Sequence, residues 1–279
     1  MIKIGDYNPK KVITKGKVKI LDDKYVIKEK VDNNIFSYLE TRNFNYFPEI
    51  IESDEKYDVT NYAKDIDYPR EQKLYDLIDL TTLLHSKTTY FKEIDESKFS
   101  ELYEDISNNI LYLYSYYSDK ATLIESKTFY SPSEYLLLRS INKIFYSLDY
   151  AKISLDELLE TKEKKMRTCM IHNNLDLNHY IKGDRDYLIS WNKAKFDMPI
   201  FDLYKLFKRN KTYNYIDLLD RYEQNYPLLE YEKKLLLIML SMPDIIDDNK
   251  SEIEKIKEIK QMIINLEILP NYLDNKPQN

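Results

Sequence analysis

The chain has 279 residues, 43% of them apolar and 32% charged, enough to bury either one large core or a small lobe and a larger one. Its net charge of −6 argues against nucleic-acid binding, which calls for a basic excess. One cysteine, Cys169, and three histidines exclude an intramolecular disulfide and leave no metal-ligand cluster to expect. The N-terminal residues lack an apolar signal core. The longest purely apolar run, residues 235–240, is far too short to cross a bilayer, so a cytoplasmic protein without a membrane span is expected.

Residues 10–31 read as strands, with Asp22, Asp23 and Lys24 at a turn. Residues 32–42 carry Ile35, Phe36 and Leu39 on one helical face, and Pro48 ends that stretch. Two more strands are expected over 49–52 and 57–62, making 1–62 a small β-rich lobe with one helix. From residue 63 to 270 the chain turns mainly helical. Residues 71–87 place Leu74, Leu77, Ile78, Thr81, Leu84 and His85 at three-and-four spacing, and 96–117 continue with Phe99, Tyr103, Ile106, Ile110 and Leu113. Ser131-Pro-Ser-Glu134 and Ser154-Leu-Asp-Glu157 both read as helix starts, the second opening a separate helix over 158–167. The periodicity then breaks. Residues 169–174 form a short apolar segment that turns polar, and 179–191 read as a hairpin turning at Gly183-Asp184. Helices resume over 200–209, 215–225, 230–241 and 250–266, and residues 271–279 read as a frayed polar tail. This order is α+β, not the strand–helix alternation of a doubly wound sheet.

Two segments carry the chemical signal. Residues 169–179 read Cys-Met-Ile-His-Asn-Asn-Leu-Asp-Leu-Asn-His, and 187–203 read Tyr-Leu-Ile-Ser-Trp-Asn-Lys-Ala-Lys-Phe-Asp-Met-Pro-Ile-Phe-Asp-Leu. A polar loop followed by a hairpin that ends in a metal-binding carboxylate is the layout of a phosphoryl-transfer site. The chain resembles the aminoglycoside phosphotransferase and choline kinase family, with a weaker similarity to bacterial spore-coat kinase-like proteins in Phe44-Asn-Tyr-Phe-Pro48 and Leu84-His85. The resemblance spans residues 12–265, with its specific support in 171–203. It implies a two-lobed protein-kinase-like fold with a small β-rich N-lobe and a large, mainly helical C-lobe.

In that family the loop reads His-Gly-Asp, with Asn five residues after the Asp, and the hairpin ends in Ile-Asp-Trp before a Pro-x-x-Asp-Leu. Here His172 and Trp191 fill the His and Trp positions, and Pro199 and Asp202-Leu203 fill the later pattern as structural residues. The catalytic Asp position is Asn174, the magnesium-binding Asn position is His179, and the metal-binding Asp position is Ser190. Asparagine does not act as a base at neutral pH, and loss of a general base costs about 10²–10⁴ in rate. Serine is a poor ligand for Mg²⁺, which prefers hard anionic oxygen. Asp176 and Asp197 are the possible substitutes, although neither restores the motif spacing.

In the small lobe, Tyr25-Val-Ile-Lys28 resembles the strand whose lysine contacts nucleotide phosphates. Glu40 on the following helix is its candidate partner, and Tyr62 lies in the segment that would touch adenine. No glycine-rich loop precedes them, since Gly16 stands alone. The lysine could equally be an exposed strand residue and the glutamate an exposed helix residue. Tyr112, Tyr114, Tyr116 and Tyr117 read as core and rim rather than a stacking surface, and Lys162, Lys164, Lys165 and Arg167 as a solvated basic face.

The favoured reading is a catalytically inactive kinase-like protein that binds a protein partner or a small-molecule ligand in a cleft between the lobes, with no cofactor. The alternative is an atypical small-molecule phosphotransferase using ATP and Mg²⁺, with Lys28 and either Asp176 or Asp197. A third reading, an unrelated helical scaffold, requires residues 10–62 to be helical.

Overall fold

A computed structural model describes residues 7–31, 33–160 and 165–275. In chain order they form β1 (Val12–Lys15), β2 (Val18–Leu21), β3 (Tyr25–Glu29), α1 (Asn33–Thr41), β4 (Ile50–Ser53), β5 (Tyr57–Asn61), α2 (Arg70–Thr88), β6 (Tyr90–Glu93), α3 (Glu96–Glu125) and α4 (Pro132–Glu160). They continue as β7 (Lys165–Ile171), β8 (Tyr180–Ile181), β9 (Tyr187–Leu188), β10 (Lys195–Asp197), α5 (Ile200–Arg209), α6 (Tyr215–Asn225), α7 (Glu230–Ser241) and α8 (Glu252–Asn275). Single 3₁₀ turns occupy Leu177–His179 and Trp191–Lys193. Residues 10–62 therefore form a sheet with one helix, as the α+β reading requires, and the helical-scaffold reading fails. No helix among the described residues is long and apolar enough to cross a membrane.

The chain divides into two compact units. The first comprises the described parts of Met1–Tyr90, Thr168–Leu206 and Asp220–Tyr226. Its sheet is antiparallel in the order β1-β2-β3-β5-β4. The β1–β2 connection is a two-residue turn at Gly16-Lys17, and Gly16 has φ +58°, which glycine adopts without steric cost. The core of this unit is aromatic around Trp191, which is fully buried. Phe36, Phe44 and Phe47 meet its ring edge-on, with centroids 6.4, 6.1 and 6.4 Å away. Its indole N–H donates to the Leu188 carbonyl at 2.8 Å.

The second unit comprises the described parts of Phe91–Arg167, Phe207–Leu219 and Pro227–Asn279. Helices α3, α4, α7 and α8 bury Ile110, Leu113, Ile144, Leu148, Leu235 and Ile238. The buried Arg167 guanidinium forks onto both carboxylate oxygens of Glu232, which is fully buried and also accepts from the Leu229 N–H at the start of α7. Arg167 is thus not part of a solvated basic face; Lys162 and Lys164 lie outside the described residues.

Three expectations change. Residues 132–160 form one helix, not two, because Ser147, Leu148, Ala151, Ser154, Leu155 and Leu158 continue a buried stripe straight through the local capping signal at Ser154. The expected helix over 158–167 instead ends at Glu160, and the chain resumes as β7. α3 runs on to Glu125, with Tyr117 and Ile124 buried, and α8 extends to Asn275 through part of the expected tail. Of Tyr112, Tyr114, Tyr116 and Tyr117 on α3, Tyr117 is fully buried and Tyr116 exchanges hydrogen bonds with the Ile246 backbone at 3.1 and 3.2 Å. Tyr114 stacks on Phe145, and Tyr112 is exposed.

Glu252, at the start of α8, accepts the Ser133 N–H from the first turn of α4 at 2.5 Å. This bond and others from Ser133, Ser131 and Lys255 hold its carboxyl down at about 2. A depressed carboxyl contributes stability above its unfolded value and loses that contribution as pH falls toward its folded value. Glu252→Gln is therefore expected to lower Tm at neutral pH, with the gap to wild type closing as pH falls from about 4.5 to about 2. Thermal scans across that range measure it.

Candidate functional site

The polar loop leaves β7 at His172 and is held from beneath by one carboxylate. Asp202, in the first turn of α5, is fully buried. It accepts the His172 N–H at 2.7 Å and the Asn173 N–H at 2.6 Å, and the His85 imidazole Nε2 lies 3.2 Å away. His85 is itself fully buried on α2, with Nδ1 2.7 Å from the Tyr222 hydroxyl. Two adjacent backbone amides converge on one side chain because Asn173 adopts φ +59°. Asparagine tolerates this left-handed conformation better than most residues. Its carboxamide N–H₂ donates to the Lys193 carbonyl at 2.9 Å, and Lys205 donates to its side-chain oxygen and, at 3.3 Å, to its backbone carbonyl.

The three positions that differ from the phosphotransferase pattern all belong to this unit. Asn174 is nearly buried, and its carbonyl accepts from His179 Nδ1 at 2.7 Å, leaving Nε2 as the second ring nitrogen. His172 is fully buried and donates from Nε2 to the Ile189 carbonyl at 2.9 Å, its ring edge-on to Trp191 at 4.7 Å. Ser190 follows β9 with φ 68° and ψ 47°, a left-handed conformation, and opens the 3₁₀ turn at Trp191 without a side-chain capping bond. Pro199 is buried, and its carbonyl accepts the Asp202 N–H at 3.2 Å.

Each of the two nearby acids accepts a backbone amide from its own segment. Asp176 caps the turn Leu177–His179, accepting the Asn178 N–H at 2.9 Å. Asp197 lies in β10, opposite Cys169. It accepts the Met198 N–H at 2.9 Å and pairs with Lys195 at 2.6 Å. No group of three or more His, Cys, Asp or Glu side chains suited to a metal occurs among the described residues. The donors at the matched positions are an amide, an imidazole and a hydroxyl, a set that does not fit Mg²⁺.

On the sheet, directly paired residues share a face. The register Ile13↔Ile20↔Val26 and Lys15↔Val18 therefore puts Ile13, Val18, Ile20 and Val26 on the face that also carries Lys28. These four side chains are half-buried. Burial pushes the Lys28 pKa down, and Asp58 opposite it in β5 pulls the other way. Asp58 is fully buried and already accepts from the Val31 N–H at 3.1 Å and the Ser53 hydroxyl at 2.8 Å. Glu40 is exposed and makes no ion pair with Lys28 among the described residues. Instead the Lys28 ammonium lies 5.8 Å from the Phe36 ring centroid, one helical turn before Glu40. Tyr62 follows β5 directly, its N–H donating to the Lys24 carbonyl at 2.7 Å. Sequence reasoning missed Asn173, Lys205 and Tyr222. The only available signal was the Asn-Asn pair, since asparagine suits a left-handed position; the other two lie far along the chain from the loop.

No protein-family model and no curated protein matches the chain. Solved structures do. An aminoglycoside phosphotransferase from Alicyclobacillus acidocaldarius subsp. acidocaldarius DSM 446 superposes with a TM-score of 0.70 at 10% identity, over 96% of this chain and 92% of that one. The AMP-bound complex of a spectinomycin phosphotransferase superposes with a TM-score of 0.51 at 13% identity, over 93% of this chain and 90% of that one. At these identities the likeness is one of fold.

Two substitutions test the loop. Asp202→Ala strands the buried His172 and Asn173 N–H groups and is expected to cost at least about 3 kcal/mol in urea unfolding. Ser190→Asn relieves a left-handed backbone that serine tolerates poorly and is expected to add about 0.5–1 kcal/mol.

Proposed function

We propose that this chain, which has the fold of the aminoglycoside phosphotransferases, is a binding protein that does not transfer phosphate. One observation carries the proposal. The loop is held in place by Asp202, yet its matched chemical positions are Asn174, His179 and Ser190, and the candidate substitutes Asp176 and Asp197 bond to their own segments. Without a carboxylate at these positions nothing takes a proton from an attacking hydroxyl, and nothing anionic holds a divalent ion against a triphosphate.

The Lys28 face supports binding. It offers four half-buried apolar side chains beside a partly desolvated cation. A flat ring carrying a small negative charge matches that combination, the ring against Ile13, Val18, Ile20 and Val26 and the charge at Lys28. The proposed ligand is a nucleotide or similar small anion held without metal, in a cytoplasmic protein. A protein partner that recognises the occupied state is compatible with the same site.

Thermal unfolding with AMP, ADP and ATP, each in Mg²⁺ and in EDTA, tests this. Binding stabilises by mass action, about 2.7 kcal/mol at a hundredfold excess over Kd. The expected result is a rise in Tm of the same size in EDTA as in Mg²⁺, abolished by Lys28→Met, with no ATP turnover. The absence of a rise with all three nucleotides overturns the proposal. So does a magnesium-dependent rise with turnover that Asp176→Asn or Asp197→Asn removes, which favours an active phosphotransferase. In the double variant Asn174→Asp/Ser190→Asp, the ATP response is expected to become magnesium-dependent.

A further inference from the structure

A second cavity lies behind the segment that leaves β5, on the side away from Lys28. Strand β5 sits between β3, which carries Lys28, and β4. Because Ile50 pairs with Thr60, Pro48 and Glu49 run beside Asn61, Tyr62 and Ala63 on the β4 side. Hairpin β8–β9 closes the remaining wall. Its Leu188 N–H donates to the Tyr46 carbonyl at 2.7 Å, which fixes Arg185 and Tyr187 opposite Phe47, Pro48 and Glu49. The Ile66 N–H donates to the Lys182 carbonyl at 2.8 Å, and a Cβ on Gly183 would come within 3.1 Å of the Lys64 carbonyl oxygen, so the hairpin turn is held tightly against the same segment. A cavity of about 130 Å³, open to solvent, remains between these walls.

The lining divides by chemistry. Phe47 and Pro48 form a buried floor, with half-buried Tyr62 and Tyr187 beside it. Glu49 and Arg185 stand exposed at the rim. They carry opposite charges on one cavity, yet neither makes an ion pair or side-chain hydrogen bond among the described residues. The cavity is smaller than a site that encloses a whole ligand, so a molecule seated there by its ring keeps its polar end in solvent at the rim.

We propose that this cavity binds a small aromatic zwitterion, of the class of a free aromatic amino acid. Its carboxylate meets the Arg185 guanidinium, whose planar fork suits a carboxylate, and its ammonium meets Glu49. Its ring lies on the Phe47–Pro48 floor against Tyr187. The site is separate from the Lys28 face and does not depend on what that face binds.

Titration calorimetry on the full chain tests it with three probes: L-phenylalanine, which carries both charges, phenylacetate, which carries only the anion, and phenethylamine, which carries only the cation. L-phenylalanine is expected to bind saturably, and each single-charge probe at least about tenfold more weakly, a loss of about 1.4 kcal/mol. Arg185→Ala and Glu49→Ala, both at exposed positions, are each expected to weaken L-phenylalanine by a similar factor. Failure of L-phenylalanine to bind up to about 10 mM overturns the proposal. So does equal affinity for all three probes, or binding that survives Arg185→Ala and Glu49→Ala but is lost in Lys28→Met.

Discussion

The architecture around the polar loop depends on one buried carboxylate. Asp202 has no exposure to solvent and meets two backbone amides and an imidazole. Removing a carboxylate from water is costly, and here the cost is offset by three hydrogen-bonding partners that would otherwise be unsatisfied themselves. The arrangement is reciprocal: the amides of His172 and Asn173 need an acceptor, and Asp202 needs donors. The consequence is a loop whose path is set before any ligand arrives, with Asn173 accepting a left-handed backbone so that both amides face the same way.

Around that anchor the packing is aromatic. Trp191, His172 and the Phe36–Phe44–Phe47 cluster form a continuous aromatic core that joins the small sheet's helix to the loop within one unit. These contacts reward shape and burial, and they hold whether or not a carboxylate stands at positions 174 or 190. Catalysis asks for more: anionic oxygens placed where a metal or a departing proton would be. Positions 174, 179 and 190 carry an amide, an imidazole and a hydroxyl. The left-handed Ser190 fits the same view, because a backbone conformation that serine tolerates poorly persists where the surrounding packing dictates it.

Lys28 illustrates how a cation can be kept without a permanent partner. Its opposite number, Asp58, is committed to the Val31 amide and the Ser53 hydroxyl, and the helix offers the Phe36 ring in place of a carboxylate. An aromatic face attracts the ammonium but does not neutralise it. The segment that follows β5 separates this face from the cavity lined by Glu49 and Arg185, and Phe47 belongs both to that cavity's floor and to the packing around Trp191.

The sequence by itself determined the α+β order of elements and the spans of α5, α6 and α7, because amphipathic spacing is a local property that survives without knowledge of neighbours. It also made visible the spacing from His172 through Trp191 to Asp202. The remainder follows from packing between segments distant in the chain. Ser154 looks like a helix start, yet burial of a stripe on both sides of it carries α4 through; short β6 has too few residues for a periodic signal. The bond between His85 and Asp202 joins residues far apart in the chain, and no local pattern encodes such a partner. Likewise Glu40, not Phe36, looked like the companion of Lys28, because residue type suggests a charge partner whereas helix phase decides which side chain faces it. The bonds that Asp176 and Asp197 accept from the Asn178 and Met198 amides, and the pairing of Asp197 with Lys195, depend on the local backbone path and not on residue type.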